Sequence, residues 1–388
     1  MKSLFFRRIW LIVWLVFAIS GCTTVGDYYD KWFGSSNRLK PAELVALKPG
    51  ISLKVNWQGN VGGADNFVFT PAVSDASVYA AGAAGQVARF DASSGKQLSR
   101  FETKTRISGG VGTDGKTLLF GTPRGEVLAF DINGKPLWKV QLASEVLSAP
   151  RIEQDIVVVR SGDSRIVGLD LATGARKWTY QRAMPPLTVR THAGVAPYGG
   201  AVFAGYPGGR LVALSSLNGN VGWESTVALP KGATELERVA DVAGLPVMDG
   251  KQICAVAYQG RVACFDMFKG STLWARDISS VAGLGIDGRS VYVSDDKSAV
   301  VAFDKNTGSS LWKQDKLYGR SISGPVASGP YVVVADFQGY VHYLSREDGS
   351  FVARIATDGS PVIAQPMAIA GGILIQTRNG GIFSITVQ

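Results

Sequence analysis

From residue 51 to the C-terminus the chain alternates apolar and polar residues in short runs, each closed by a cluster of Asp, Ser, Asn and Gly. Stacking these runs exposes one pattern: "GQVARFDASSGKQLSRF", "GEVLAFDINGKPLWKV", "SRIVGLDLATGARKWTY", "GRLVALSSLNGNVGWES", "GRVACFDMFKGSTLWAR", "SAVVAFDKNTGSSLWKQ" and "GYVHYLSREDGSFVARI", with a shortened last copy, "GGIFSITVQ". The position after the first apolar run is Asp91, Asp131, Asp170, Ser215, Asp266, Asp304, Ser345 and Thr386, in steps of 40, 39, 45, 51, 38, 41 and 41 residues. Within a copy, the alternating run predicts one strand and the Asp/Ser-plus-Gly cluster a tight turn, since Asp and Ser bind nearby N–H groups and Gly supplies positive φ. A second strand follows, carrying Trp138, Trp178, Trp223, Trp274 or Trp312, and two further apolar segments precede the pair. Four short antiparallel strands repeated about every forty residues predict an all-β, eight-bladed β-propeller.

The ends of the repeat predict how the ring closes. The last copy lacks a tryptophan strand, and "ISLKVNWQG" (Ile51 to Gly59) is a lone strand with Trp57 ahead of the first full copy. Giving that strand to the last blade removes two open sheet edges. The innermost strands are expected to be small and Pro-rich, around Pro71, Pro150, Pro246, Pro325 and Pro366, and the repeated tryptophans to wedge between blades. The same frame disposes of a false signal. "GVGTDGKT", Gly110 to Thr117, fits the phosphate-binding G-x-x-x-x-G-K-[ST] pattern, which requires a helix beginning at the Lys. Here "TLLFG" follows, so Asp114-Gly115 is a hairpin turn between two strands of a blade.

The first residues are an address. "MKSLFFRR" is basic, "IWLIVWLVFAI" apolar and "SGC" small, which is the order of a secretory signal. "ISGC" has the form of a bacterial lipobox whose cysteine, Cys22, is acylated, and Thr23 after it points to the outer rather than the inner membrane. The expected organisation is a signal peptide at 1–21, a lipidated cysteine and flexible tether at 22–50, and the propeller at 51–388.

Charge and chemistry narrow the function. Net charge is +9 for the whole chain, with the basic residues scattered singly rather than interleaved with aromatics, so nucleic acid is not an expected partner. There are two histidines, His192 and His342, in different blades, no HExxH and no G-x-S-x-G, so neither a zinc site nor a hydrolase triad is predicted. Cys254 and Cys264 flank the turn in "ICAVAYQGRVACF". A three-residue loop at 258–260 sets them opposite each other, either as a cross-strand disulfide or as two buried thiols. The disulfide is the preferred reading.

Two resemblances follow from the repeat and the leader. "AFDKNTGSSLW" and "GLDLATGARKW" are similar to the tryptophan-docking repeat of pyrroloquinoline-quinone dehydrogenases, which are also eight-bladed. This chain has no adjacent cysteine pair, long blade insertions or recognisable acidic metal cluster, so the fold is shared and the cofactor site is not expected. The lipoprotein leader followed by this propeller resembles the BamB family of outer-membrane protein assembly factors, over the whole chain. The resemblance implies a non-catalytic, cofactor-free scaffold of the β-barrel assembly (BAM) complex. It would be lipid-anchored at the periplasmic face of the outer membrane, held to a periplasmic POTRA domain of BamA, with unfolded outer-membrane proteins as clients. A periplasmic quinone dehydrogenase and a propeller binding cell-envelope glycans are the alternative readings.

The longest steps flank the fourth blade. "AMPPLTVRTH" (Ala183 to His192) and "ALPKGATELERVADVAG" (Ala228 to Gly244) both run from an outermost strand to the next innermost one, which puts them on one face. Leu187, Val189 and Arg190 in the first, with Glu235, Glu237, Arg238 and Asp241 in the second, have the composition of a protein-binding patch; the other reading is edge-capping apolar residues beside solvated charges. The BamB resemblance favours the patch. Its L-x-[LV]-R and E-x-[DE]-R-[LV]-x-D-V stretches match Leu187, Val189, Arg190 and Asp241, while Ala243 stands where the family often has a second Asp.

Overall fold

The computed structural model describes residues 40–189 and 192–388; Cys22 and Arg190 lie outside them. Residues 41–388 form one compact unit of eight four-stranded antiparallel sheets. Seven blades run consecutively, from Ala72–Ser74 at the start of the first to Phe351–Ala356 at the end of the seventh. The eighth takes Met367–Ile369, Gly372–Gln376 and Gly381–Val387 from the C-terminus and Leu53–Asn60 from the other end. Leu53 pairs with Val387 and Asn60 with Gly381, so the predicted closure is the observed one.

First strands of neighbouring blades touch each other, which identifies them as the inner wall. They are only three residues long in most blades, and the five prolines immediately precede them rather than lying within them. That position suits a residue with no N–H to give to a ladder. The second and third strands are almost wholly buried, as in Ile156–Arg160 and Tyr331–Ala335. "GVGT" of the phosphate-loop look-alike lies in the strand Gly109–Thr113, and Asp114 Oδ1 accepts the Lys116 and Thr117 N–H groups in the turn that follows.

The tryptophans dock blade to blade by one repeated arrangement. Nε1 of Trp57, Trp138, Trp178, Trp223, Trp274 and Trp312 donates to the carbonyl of Ala92, Leu171, Ser216, Met267, Lys305 and Arg346, at 2.7–3.0 Å. Each acceptor follows the repeat Asp or Ser of the next blade. The turn glycine of that blade lies flat on the indole: a Cβ at Gly308, whose φ is +68°, would sit 2.5 Å from Trp274 Cε3. The first blade uses Phe101 against Gly134 instead. The repeat Asp fixes the turn: Asp91 accepts from Ser93 and Ser94, whose hydroxyls first and amides second hold its carboxyl down to about 2.

One boundary differs from expectation. The segment predicted to be tether through residue 50 is packed on the propeller from Ala42 onward, where Ala42 N–H donates to Tyr318 O at 2.9 Å and Gly50 N–H to Val352 O at 2.9 Å. Leu44 packs beside the cluster that holds Trp312 and Leu317.

Candidate functional site

In each blade the second-to-third turn and the connection to the next blade share a face of the ring. Two connections there are longer than the step needs: residues 181–195 between Arg176–Tyr180 and Ala196–Tyr198, and residues 227–246 between Val221–Thr226 and Val247–Asp249. They flank blade four, as predicted from the repeat spacing.

Asp241 ties them together. Its Oδ2 accepts the Val189 N–H at 2.6 Å and its Oδ1 the Gly208 N–H at 3.0 Å, joining the first loop to the 207–209 turn of blade four. Its main-chain carbonyl accepts the Tyr258 N–H at 2.8 Å, which reaches blade five. Hydrogen bonds from backbone amides to a carboxylate are about twice as strong as neutral ones. Arg160 supplies nearby positive charge from blade three. Its Nη1 donates to Gly205 O at 2.6 Å and its guanidinium lies 5.1 Å from the Tyr206 ring centroid. Burial lowers the Arg160 pKa, while Tyr206 and Asp241 act to raise it.

The second loop is shaped by its own residues. Thr234-Glu235-Leu236-Glu237 is a capping box. Glu237 N–H donates to Thr234 Oγ1 at 3.3 Å, while Glu237 Oε2 accepts the Thr234 N–H at 3.1 Å and the Ala233 N–H at 2.8 Å. These amides lower the Glu237 pKa. Arg238 Nε donates to Gly232 O at 3.1 Å and its Nη1 lies 3.8 Å from Glu235. The end of the Gln259 side-chain amide lies 3.1–3.2 Å from the carbonyls of Leu236, Glu237 and Val239, an arrangement that suits its NH2 group facing the loop. The single turn so formed leaves Leu236 71% exposed.

These contacts sort the predicted residues. Leu187 is exposed at 43% on the first loop, and Glu235 and Arg238 are exposed on the second. Val189 is half-buried and engaged through its amide. Asp241 is 2% exposed with both oxygens used, and in this chain it braces the two loops. Ala243 is also buried. Cys254 and Cys264 pair across the ladder of blade five with Cα atoms 4.1 Å apart and their sulfurs bonded. Exposed Met184, Leu229 and Leu236 were not anticipated. For Leu236 the signal was present: T-x-x-E announces a helical turn, and a turn fixes which residues face outward.

Comparison with known proteins gives one consistent family. The family model described as outer membrane protein assembly factor BamB matches residues 83–314 and 298–387. The chain is 45% identical over 385 residues to the outer membrane protein assembly factor BamB of Nitrosomonas eutropha, covering 97% of this chain and 94% of that one. It is 41% identical over 369 residues to that of Bordetella pertussis, covering 95% and 94%. The crystal structure of BamB from Moraxella catarrhalis superposes with a TM-score of 0.80 at 29% identity, covering 86% of this chain and all of that one. The quinohemoprotein alcohol dehydrogenase of Comamonas testosteroni shares the fold alone, with a TM-score of 0.71 at 12% identity over 93% of this chain and 82% of that one.

Proposed function

This chain belongs to the family of the outer membrane protein assembly factor BamB, and on that premise we propose that it is a scaffold of the β-barrel assembly machinery. It docks a periplasmic POTRA domain of BamA on the face formed by residues 183–192 and 228–244. The observation that carries this reading is the contrast within that face. Leu187 and Leu236 stand exposed on loops that Asp241, Glu237 and Gln259 hold in place, so apolar area is presented on a preorganised support. Arg190, next to Val189, supplies the cation of the patch, and Glu235 and Arg238 the polar rim.

In this reading the propeller is a scaffold rather than a catalyst, in keeping with relatives named as outer membrane protein assembly factors. Residues 1–21 direct export, Cys22 carries the lipid, and the propeller works at the periplasmic face of the outer membrane.

A pull-down tests the reading. Mature protein lacking residues 1–22 is expected to capture isolated BamA POTRA domains, and Leu187→Ala with Arg190→Glu to lose them while circular dichroism stays unchanged. Failure of the unaltered protein to capture any POTRA domain refutes the scaffold role. Capture that survives the double change moves the site elsewhere on the ring.

A further inference from the structure

The junction between blades seven and eight has no aromatic dock. The register that sets Trp312 opposite Ala302 in blade six sets Ala353 opposite Tyr343 in blade seven. Blade eight has no turn between its third and fourth strands to receive an indole, because its fourth strand comes from the other end of the chain. The segment before that strand runs along the outer edge of blade seven and reaches the seam at its last residues. Gly50 N–H donates to Val352 O at 2.9 Å, Ile51 and Leu53 pack into the cluster that holds Ala353 and Ile385, and Leu44 packs into the one that holds Trp312, Leu317 and Phe351.

Two arginines hold this strap by its carbonyls. Arg320 Nη1 donates to Ala42 O at 3.1 Å, and Arg354 Nη1 to Val45 O at 3.3 Å. Both extend from a buried charge cluster. Arg320 Nε and Nη2 lie 2.8 and 2.7 Å from Asp336 Oδ2, and Nη2 also donates to Gln338 Oε1 at 2.5 Å. His342 Nε2 lies 3.0 Å from the same Asp336 oxygen, and Arg354 Nε donates to His342 Nδ1 at 3.2 Å. Asp336 and His342 are fully buried. The rings of Tyr340 and Phe351 flank the imidazole, and the strap's own charged side chains, Glu43 and Lys48, are exposed.

This arrangement fixes the charge of His342. Nδ1 accepts the Arg354 Nε–H and so carries no proton of its own, leaving Nε2–H to donate to Asp336: the ring is neutral. A second proton has to go onto Nδ1, where it meets the Arg354 N–H donor to donor. The cluster then holds three cations against one carboxylate. We propose that residues 42–50 are an acid-released latch along the outer edge of blade seven, leading to its seam with blade eight, opened when protonated His342 displaces Arg354 and the Val45 carbonyl loses its donor.

The titration has the matching sign. Burial, aided by Arg354 and Arg320, lowers the His342 pKa against the opposing pull of Asp336. Burial acts to raise the Asp336 pKa, but its bonds to His342 and Arg320 outweigh it and leave that pKa lowered. Both groups therefore bind fewer protons in the folded protein than at their ordinary pKa values, and the strap's donor Arg354 is part of the cause at His342. Closure is complete above the ordinary histidine value of about 6.5 and weakens as pH falls below it, with Asp336 adding to the loss below about 4. A released strap of nine residues would extend about 30 Å.

Hydrogen exchange on the mature protein tests this, read as protection factors so that the intrinsic pH dependence of exchange divides out. Between pH 7.5 and 5.0 the Ala42 and Gly50 amides are expected to lose about tenfold in protection, while the strand Val300–Asp304 of blade six stays unchanged. His342→Gln accepts from Arg354 but takes up no proton, and is expected to keep the strap protected at both pH values. Arg354→Met is expected to lower protection already at pH 7.5 and to remove the further fall. Equal protection of the unaltered protein at the two pH values overturns the latch, as does an undiminished fall in either variant; should His342→Gln not fold, Arg354→Met decides alone.

Discussion

The junctions between blades and the loops around blade four use large apolar side chains in opposite ways. At a junction such as that of Trp274, the indole is 6% exposed, donates to Lys305 O at 2.7 Å and lies against Gly308. At the loops, Leu187 and Leu236 stand outside while the polar residues near them turn inward to hold the backbone. The difference teaches that burial and function are divided between residue classes here. The apolar junction residues supply stability, and the buried polar residues of the loops supply the shape on which exposed apolar residues are displayed.

That division is breakable in four graded steps. Trp274→Ala removes a buried indole and leaves a cavity between blades five and six, and is expected to cost about 3–5 kcal/mol in urea unfolding. Replacing Cys254 and Cys264 by alanine releases a short closed loop and should cost about 2–3 kcal/mol; adding reductant should bring the unaltered protein toward the same midpoint. Asp241→Ala leaves the Val189 and Gly208 amides without their acceptor, for a loss of about 2 kcal/mol. It should also weaken POTRA capture despite the burial of Asp241, with residues 183–192 becoming sensitive to protease. Leu236→Ala should change stability by no more than about 0.5 kcal/mol, yet weaken capture about tenfold or more in a titration. If Leu236→Ala unfolds the protein as readily as Trp274→Ala, or leaves binding untouched, the division is wrong.

The scaffold was legible because it repeats. Seven turns with Asp or Ser at one position and Gly three or four later cannot be read another way, and Trp57 before the first copy announced the clasp with the last. Loop residues have no second copy to be compared with. Spacing located both loops, but whether Asp241 faces solvent or the interior depends on the 207–209 turn of blade four, a contact across about thirty residues that no local pattern encodes. The strap was missed for the same reason. Its holders Arg320 and Arg354 lie at the far end of the chain from Ala42 and Val45, and a main-chain carbonyl acceptor leaves no trace in residue identity.

The pairing of Leu53–Asn60 with Gly381–Val387 also orders events in time. At elongation rates of about 5–20 residues per second, the two strands leave a ribosome about 15–70 s apart. Throughout that interval the earliest strand of the propeller has no sheet to join, and Trp57 can seat against Gly95 only from a strand without its ladder partner. The ring therefore cannot mature blade by blade to a finished state. Its first strand is committed last, and loss of the final seven residues would be felt at residue 53.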